Sequence, residues 1–132
     1  MYFLDSNICL YYLKNRYPPL SRKLTATAPD KIKIPSIVEA EIFTGVEKGA
    51  RQTSRELWEE FFAPFEIVPF DHEAAGKYAL IRASLEQNGT IIGPNDLIIA
   101  ATVMAKNGIL VSHNTGEFKR IPGLSLEDWT EG

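Results

Sequence analysis

The fold of this chain is decided by the stretch Gly93–Val111, which reads GPNDLIIAATVMAKNGILV. Over Leu97–Ala105 the apolar residues occupy nearly every face of a helix, and a helix that is apolar all round is buried all round. Asn107-Gly108 ends this helix, and Ile109–Val111 follows at once as a short apolar strand. This pattern predicts a central buried helix that leads into a strand covered on both faces, which is typical of parallel sheets in α/β proteins.

The same alternation of short strands and helices extends to both ends of the chain. Further strands are predicted at Tyr2–Leu4, at Lys31–Ile34, at Glu66–Pro69 and in the region of Leu124–Leu126. Helices between such strands imply right-handed βαβ connections and a sheet with helices on both faces. We therefore expect one domain spanning residues 1–132, because no linker or repeat divides the chain.

Four polar residues are predicted to begin helices by capping them. Ser6 follows the first strand, and Asp71 precedes a long helix that should end at Gly89. Ser36 with Glu39, and Thr53 with Glu56, fit the capping-box spacing. A further helix is predicted to open at Pro18-Pro19, since proline suits the first helical turn.

Composition narrows the classes of function. The 14 Lys and Arg residues against 17 Asp and Glu give a formal charge of −3, which excludes a broadly basic nucleic-acid-binding surface. Cys9 is the only cysteine, so no internal disulfide can form and we expect a reducing, cytoplasmic setting. No apolar run approaches the ~20 residues of a membrane span, so no membrane association is expected.

Acidic and amide side chains are predicted to meet at one edge of the sheet. Asp5, Asn114 and Glu117 follow strands, while Asp96 lies in the first turn of one helix and Glu41 in the second turn of another. Ligands of open α/β sheets bind at the carboxyl ends of the strands, which is where these residues fall. Two carboxylates ~4 Å apart repel by ~4 kcal/mol at an effective dielectric of ~20, so either some of the acids are protonated or a cation offsets the repulsion. Oxygen ligands favour a hard ion, Mg²⁺ or Mn²⁺, which can activate water and hold a phosphate.

Four segments resemble the motifs of PIN-domain ribonucleases, in the same order and with similar spacing. They are Phe3–Ile8 (FLDSNI), Ala40–Gly45 (AEIFTG), Gly93–Ala101 (GPNDLIIAA) and Leu110–Phe118 (LVSHNTGEF), the last followed by Ile121–Leu124 (IPGL). Within that family the chain is most similar to the VapC toxins of bacterial toxin–antitoxin pairs. The resemblance implies a PIN-like three-layer α/β/α sandwich with a parallel sheet of four or five strands.

The resemblance also implies a site and a function. Asp5, Glu41 and Asp96 match the family's metal-holding carboxylates, and Asn114 or Glu117 would complete or orient the site. An amide brings no charge, so whether one or two ions bind stays open. The implied activity is that of a Mg²⁺- or Mn²⁺-dependent endoribonuclease that cleaves tRNA or other structured RNA. The implied partners are a second copy of the chain and a VapB-like antitoxin whose C-terminal segment covers the acidic pocket.

Other residues and other classes of function have weaker support. Arg16, Lys119 and Arg120 flank predicted strand ends and are candidate RNA phosphate contacts, although a solvated charged face is the default for such groups. His113 is predicted to be a solvated loop residue, and Tyr11 to lie in the core or an interface. A haloacid-dehalogenase-like phosphatase, a receiver-like metal-binding module and a non-catalytic PIN scaffold remain as alternatives.

Overall fold

Five short strands form one parallel sheet in the computed structural model, which describes residues 1–49 and 53–132. The strands are β1 (Tyr2–Leu4), β2 (Ile32–Pro35), β3 (Glu66–Val68), β4 (Ile109–Val111) and β5 (Ser125–Glu127). Their order across the sheet is β3-β2-β1-β4-β5, and every neighbouring pair is parallel. The predicted parallel sheet is confirmed, with five strands.

Seven helices connect and cover these strands in the described part of the chain. They are α1 (Ser6–Leu13), α2 (Pro18–Ala26), α3 (Ser36–Glu47), α4 (Arg55–Phe62), α5 (His72–Gln87), α6 (Pro94–Ala105) and α7 (Thr115–Phe118), with a 3₁₀ turn at Pro29–Lys31. Neither α7 nor the 3₁₀ turn was predicted from the sequence. None of the helices in residues 1–49 and 53–132 has the length and apolar character that crossing a membrane requires.

Both faces of the sheet are covered. Phe3 and Leu4 of β1 are consecutive and both fully buried, and the same holds for Leu110 and Val111 of β4. Since consecutive strand residues point to opposite faces, apolar layers must lie on both sides. The predicted three-layer α/β/α arrangement is thereby confirmed.

Helix α6 is the most deeply buried helix, as its composition predicts. Seven of its twelve residues are buried, including all those from Ile99 to Val103. It packs against α3 and α5 and against strands β2 and β4. Its N-terminal turn, which carries Asp96, is thus held rigidly at the carboxyl edge of the sheet.

The predicted cap of α1 is wrong by one residue. Asp5 is the N-cap, and its carboxylate accepts a hydrogen bond from the backbone N–H of Ile8 at 3.0 Å. Ser6 is already the first helical residue, which frees its hydroxyl for a tertiary contact. The helix begins directly at the end of β1, because Asp5 still has extended backbone angles and can serve both elements.

The two predicted capping boxes are also wrong. Helix α3 follows Pro35, which makes no side-chain cap, so Ser36 and Glu39 do not bond reciprocally. Helix α4 is capped by Ser54, whose hydroxyl accepts from Leu57 N–H at 3.2 Å, rather than by Thr53. The Asp71 cap of α5 is confirmed, with its carboxylate accepting from the backbone N–H of Ala74 at 3.0 Å.

Candidate functional site

Asp5 stands directly after the end of β1, the central strand of the sheet. Its backbone N–H donates to the carbonyl of Val111 on β4, and its side chain is only 5% exposed. Burial raises the pKa of the Asp5 carboxyl to about 6, against hydrogen bonding from Ser112 and Ile8 that lowers the pKa. The charges of Glu41 and Asp128 raise the pKa further. This carboxyl therefore lies in an environment that disfavours its ionised form.

Glu41 is fixed by two hydrogen-bond donors from other elements. The Ser6 hydroxyl donates to Glu41 Oε1 at 2.6 Å, and the Asn95 amide donates to Oε2 at 3.2 Å. Three helices thus converge on one carboxylate, because Ser6 opens α1, Glu41 lies in the second turn of α3 and Asn95 lies in the first turn of α6. Asn95 was missed in the sequence, where its only signal was its place directly before Asp96.

Asp96 faces the other acids from the N-terminal turn of α6. Burial raises the pKa of Asp96 to about 6, and the neighbouring charges of Glu117, Asp5 and Glu41 act in the same direction. Asp96 Oδ2 and Glu117 Oε1 lie 4.0 and 3.8 Å from the position that a Cβ on Gly93 would occupy. Both carboxyl groups thus lie at ordinary van der Waals distance from that position and flank the Gly93 backbone.

Glu117 and Asn114 are hydrogen-bonded to each other beside Asp96, and Glu117 also binds the backbone of Gly93. Glu117 Oε1 accepts from the Gly93 N–H at 2.8 Å, and Oε2 accepts from the Asn114 amide at 2.9 Å. The hydrogen bond from Gly93, and then that from Asn114, hold the pKa of Glu117 below its usual value. The Asn114 backbone N–H in turn donates to the Ser112 hydroxyl at 2.9 Å. The unpredicted helix α7 carries Glu117 into this position.

Four of the five predicted site residues line the same cavity, which has a volume of about 110 Å³. Its walls are formed by Asp5, Ser6, Asn7, Glu41, Asp96, Ile99 and Asn114. Glu117 is outside this lining and contacts it through Asn114 and Asp96. Residues more than a hundred positions apart in the chain thus meet at the carboxyl edge of the sheet, where the sequence places them.

The oxygen-rich lining of the cavity suits a hard divalent cation. Asp5, Glu41 and Asp96 offer carboxylates and Asn114 an amide oxygen, the ligand types that Mg²⁺ and Mn²⁺ accept. Burial and the neighbouring carboxylates raise the pKa values of Asp5 and Asp96, so a bound cation would stabilise the ionised forms of both. Within residues 1–49 and 53–132, no three acidic, His or Cys side chains form a ready-made ion cage. The carboxylate of Glu41 is instead turned to the donors of Ser6 and Asn95.

The three predicted RNA-contact residues have different surroundings. The Arg16 guanidinium lies over the rings of Tyr11 and Tyr17, at 5.4 and 5.7 Å from their centroids. Arg120 donates to the carbonyl of Ile91 at 3.1 Å, which ties it to the loop before α6. Lys119 is exposed at the end of α7. Their contacts with RNA stay a prediction.

Comparison with known proteins identifies relatives along the whole chain. The PIN domain family matches residues 2–124. Ribonuclease VapC2 of Rickettsia felis is 40% identical over 131 residues, which cover 98% of each protein. The tRNA(fMet)-specific endonuclease VapC of Salmonella typhimurium is 34% identical over 129 residues, which cover 97% of each. The solved structure of VapBC2 from Rickettsia felis, bound to a DNA fragment from their promoter, superimposes with a TM-score of 0.87 at 39% identity, covering 97% of this chain and 98% of that one. This chain therefore belongs to the PIN domain family and, within it, to the VapC ribonucleases.

Proposed function

We propose that this protein is a divalent-metal-dependent endoribonuclease and the toxin of a VapBC-type pair, and that it cleaves tRNA or other structured RNA in the cytoplasm. The observation that carries the proposal is the convergence of Asp5, Glu41 and Asp96 on one small cavity at the carboxyl edge of the sheet. The tRNA substrate is supported by a relative named as a tRNA(fMet)-specific endonuclease. Halting translation is the expected consequence of cutting such an RNA.

Asp5, Glu41 and Asp96 would hold Mg²⁺ or Mn²⁺, with Asn114 at the open side of the cavity. The ion would supply charge neutralisation at a phosphate and lower the pKa of water. The protein's own contribution is to hold these groups in place. Ser6 and Asn95 orient Glu41, while Glu117 fixes the loop at Gly93 and the amide of Asn114. Each acid is therefore placed before the RNA arrives, which is how positioned charge contributes to catalysis.

The partners we propose are a VapB-like antitoxin and a second copy of this chain. The antitoxin is supported by the similarity to a solved VapBC complex. An uncompensated acidic cavity also offers a basic side chain of an antitoxin tail the same electrostatic gain that it offers a cation. Size-exclusion chromatography with light scattering, on the chain alone and with its antitoxin, would measure both associations.

The activity can be tested with labelled total tRNA, purified protein, and either Mg²⁺ or EDTA. Asp5→Asn and Asp96→Asn remove one negative charge each and preserve side-chain shape. We expect each to reduce metal-dependent cleavage by about 100-fold or more, because each removes a positioned charge from the site.

Asp30→Asn is the matched control. Asp30 is exposed and precedes the amino end of β2, at the opposite edge of the sheet from the cavity. It should cleave like the wild type. Equal cleavage by all four proteins would point to a contaminating nuclease, and ion binding without any cleavage would favour the non-catalytic alternative.

A further inference from the structure

Beside the acidic cavity lies a cluster of aromatic rings and one arginine, here called the aromatic platform and defined as Tyr11, Arg16, Tyr17 and His113. The Tyr11 and Tyr17 rings meet edge to face with centroids 5.1 Å apart. The His113 ring lies 5.5 Å from Tyr17 and 6.2 Å from Tyr11. The tyrosines are half-buried, whereas Arg16 is exposed and the His113 side chain is 42% exposed.

The platform is rigid because a helix-terminating turn builds it. At the end of α1 the N–H of Arg16 bonds to the carbonyl of Tyr11, and the N–H of Asn15 bonds to the carbonyl of Tyr12, both at 3.0 Å. This is a Schellman turn, with Asn15 at a φ of 50°. The Ser21 hydroxyl donates to the Asn15 side chain at 2.8 Å and fixes the turn further. The chain reversal is what brings the Arg16 guanidinium back over the two tyrosine rings.

His113 is held in place through its Nδ1 atom, and the rest of the ring takes no part in these hydrogen bonds. Its Nδ1 lies 3.0 Å from Asp128 Oδ2 and 2.9 Å from the Thr130 hydroxyl oxygen. Partial burial raises the pKa of Asp128, but hydrogen bonds from Thr130 and His113 outweigh burial and lower the pKa overall. An ionised Asp128 can only accept, so Nδ1 carries the hydrogen and donates. These hydrogen bonds fix the orientation of the imidazole ring, whereas the sequence predicts a freely solvated loop residue.

The platform adjoins the cavity through the chain itself. His113 stands between Ser112, whose hydroxyl bonds to the Asp5 carboxyl, and Asn114, which lines the cavity. Consecutive Cα atoms are about 3.8 Å apart, so the imidazole is one residue away from the cavity wall. The platform is therefore directly adjacent in the chain to the wall of the acidic cavity.

We propose that the aromatic platform binds an unpaired RNA nucleotide next to the phosphate that is cut, with the base stacked on Tyr17 and His113 and its phosphate contacted by Arg16. The inference rests on the proposed ribonuclease function and adds a substrate subsite to it. Proteins bind single-stranded RNA by stacking bases on aromatic rings beside basic groups. A chain with a net charge of −3 and an acidic cavity also needs a local cation to attract the strand, and Arg16 supplies one.

Measuring the affinity for RNA in EDTA tests the role of this surface in binding separately from catalysis. We would measure the dissociation constant of a fluorescent single-stranded oligonucleotide, and kcat and KM for tRNA cleavage with Mg²⁺. Tyr17→Ala and His113→Ala should each weaken binding by about 5- to 100-fold, the range that loss of one stacked base gives. They should raise KM much more than they lower kcat, and Tyr17→Phe should restore both values. Arg16→Ala should reduce the slope of log affinity against log salt by about 0.7, the share of one phosphate on a single strand.

The matched controls are Tyr78→Ala and Arg82→Ala. Arg82 lies 6.0 Å from the Tyr78 ring centroid on α5, and neither residue lines the acidic cavity. These controls should leave RNA affinity unchanged. Melting temperatures would identify any variant that fails to fold, and the exposed Arg16→Ala variant keeps the test decisive in that case.

Two results separate the inference from the function on which it rests. If tRNA is cleaved and the platform variants bind RNA as tightly as the controls, the subsite is refuted and the ribonuclease assignment stands. If no RNA is cleaved but binding in EDTA still depends on Tyr17, His113 and Arg16, the subsite is supported and the catalytic proposal fails.

Discussion

Asp5 has two roles, and only one of them requires its negative charge. As the N-cap of α1 it needs an acceptor oxygen, which its neutral amide analogue would also supply. As a buried acid beside Glu41 it carries a charge that the metal-free protein does not compensate. The ionised form therefore destabilises the folded protein until a cation or a basic partner side chain arrives, which is a common trade of stability for function.

The first prediction is that Asp5→Asn stabilises the protein in EDTA at pH 7. The folded-state pKa of about 6 lies above the ordinary value of 3.8, so the folded wild type binds more protons between these pH values and loses stability as pH rises through that window. The gain should be on the order of 1–3 kcal/mol at pH 7 and should vanish near pH 4. Urea unfolding at both pH values measures the effect; an equal gain at pH 4 would contradict its electrostatic origin.

At the residue scale the sequence predicts the charged members of the site better than their supports. Asp5, Glu41 and Asp96 could be found because their types and positions at element ends imply one edge of the sheet. Asn95 and the orientation of His113 could not, because both depend on hydrogen bonds to distant elements. Glu41 lines the cavity as its match to the family motif implies, whereas the capping role predicted for Glu39 is wrong.

The second prediction concerns the turn between α6 and β4. A Cβ added at Gly108 would collide with the ring of Phe3 in the core, whereas one added at Gly76 within α5 meets nothing within 4 Å. Gly108→Ala should cost about 1–3 kcal/mol of folding stability through overpacking. Gly76→Ala should instead stabilise by about 0.5–1 kcal/mol, because glycine is a poor helix former. Chemical denaturation of both variants tests this, and a neutral Gly108→Ala would show that Phe3 can move aside.

The third prediction compares the corrected cap with the mistaken one. Ser54 bonds to the N–H of Leu57, so Ser54→Ala should destabilise the protein by about 1 kcal/mol. Ser36 makes no cap bond, so Ser36→Ala should change stability by less than about 0.5 kcal/mol. Unfolding midpoints of the two variants decide between the two caps. A larger loss of stability for Ser36→Ala than for Ser54→Ala would instead support the capping box at Ser36.

At the element scale, long periodic segments are predictable and short ones are not. The sequence predicts α5 from its cap and from the spacing of Ala74, Ile81 and Leu85, all of which are buried. The four-residue helix α7 has too little periodicity to be recognised, and its Asn-Thr-Gly start favours a turn equally well. The Gly93 N–H donates to Glu117 from 24 residues away, and this tertiary hydrogen bond, which stabilises α7 in addition to the local Asn114–Glu117 bond, cannot be read from the local sequence.

The sheet order belongs to the whole molecule. Strand patterns predict how many strands there are, but the order β3-β2-β1-β4-β5 depends on which apolar faces pack together after collapse. Its consequence is functional, because β1 and β4 become neighbours and bring Asp5 close to Ser112 and Asn114. The site is thus a product of topology as much as of residue type.

The fourth prediction is that residues 1–132 unfold as one domain. Trp58 packs against Phe61 and Phe62 of α4, while Trp129 packs against Tyr2 of β1, so the two indoles report on different parts of the fold. Trp58→Phe and Trp129→Phe each leave one reporter. Both fluorescence transitions in urea should coincide with the loss of helical circular dichroism. Separate transitions would indicate two folding units.

The most direct test of the central claim is the binding of Mn²⁺ to the purified protein, followed by the loss of the free-ion electron paramagnetic resonance signal at neutral pH. The wild type and Asp30→Asn should bind with the same affinity, whereas Asp5→Asn, Glu41→Gln and Asp96→Asn should each bind roughly tenfold more weakly or worse, since each removes a charged oxygen ligand. Equal affinity in all five proteins, or no binding by the wild type, would show that these three acids do not form one metal site.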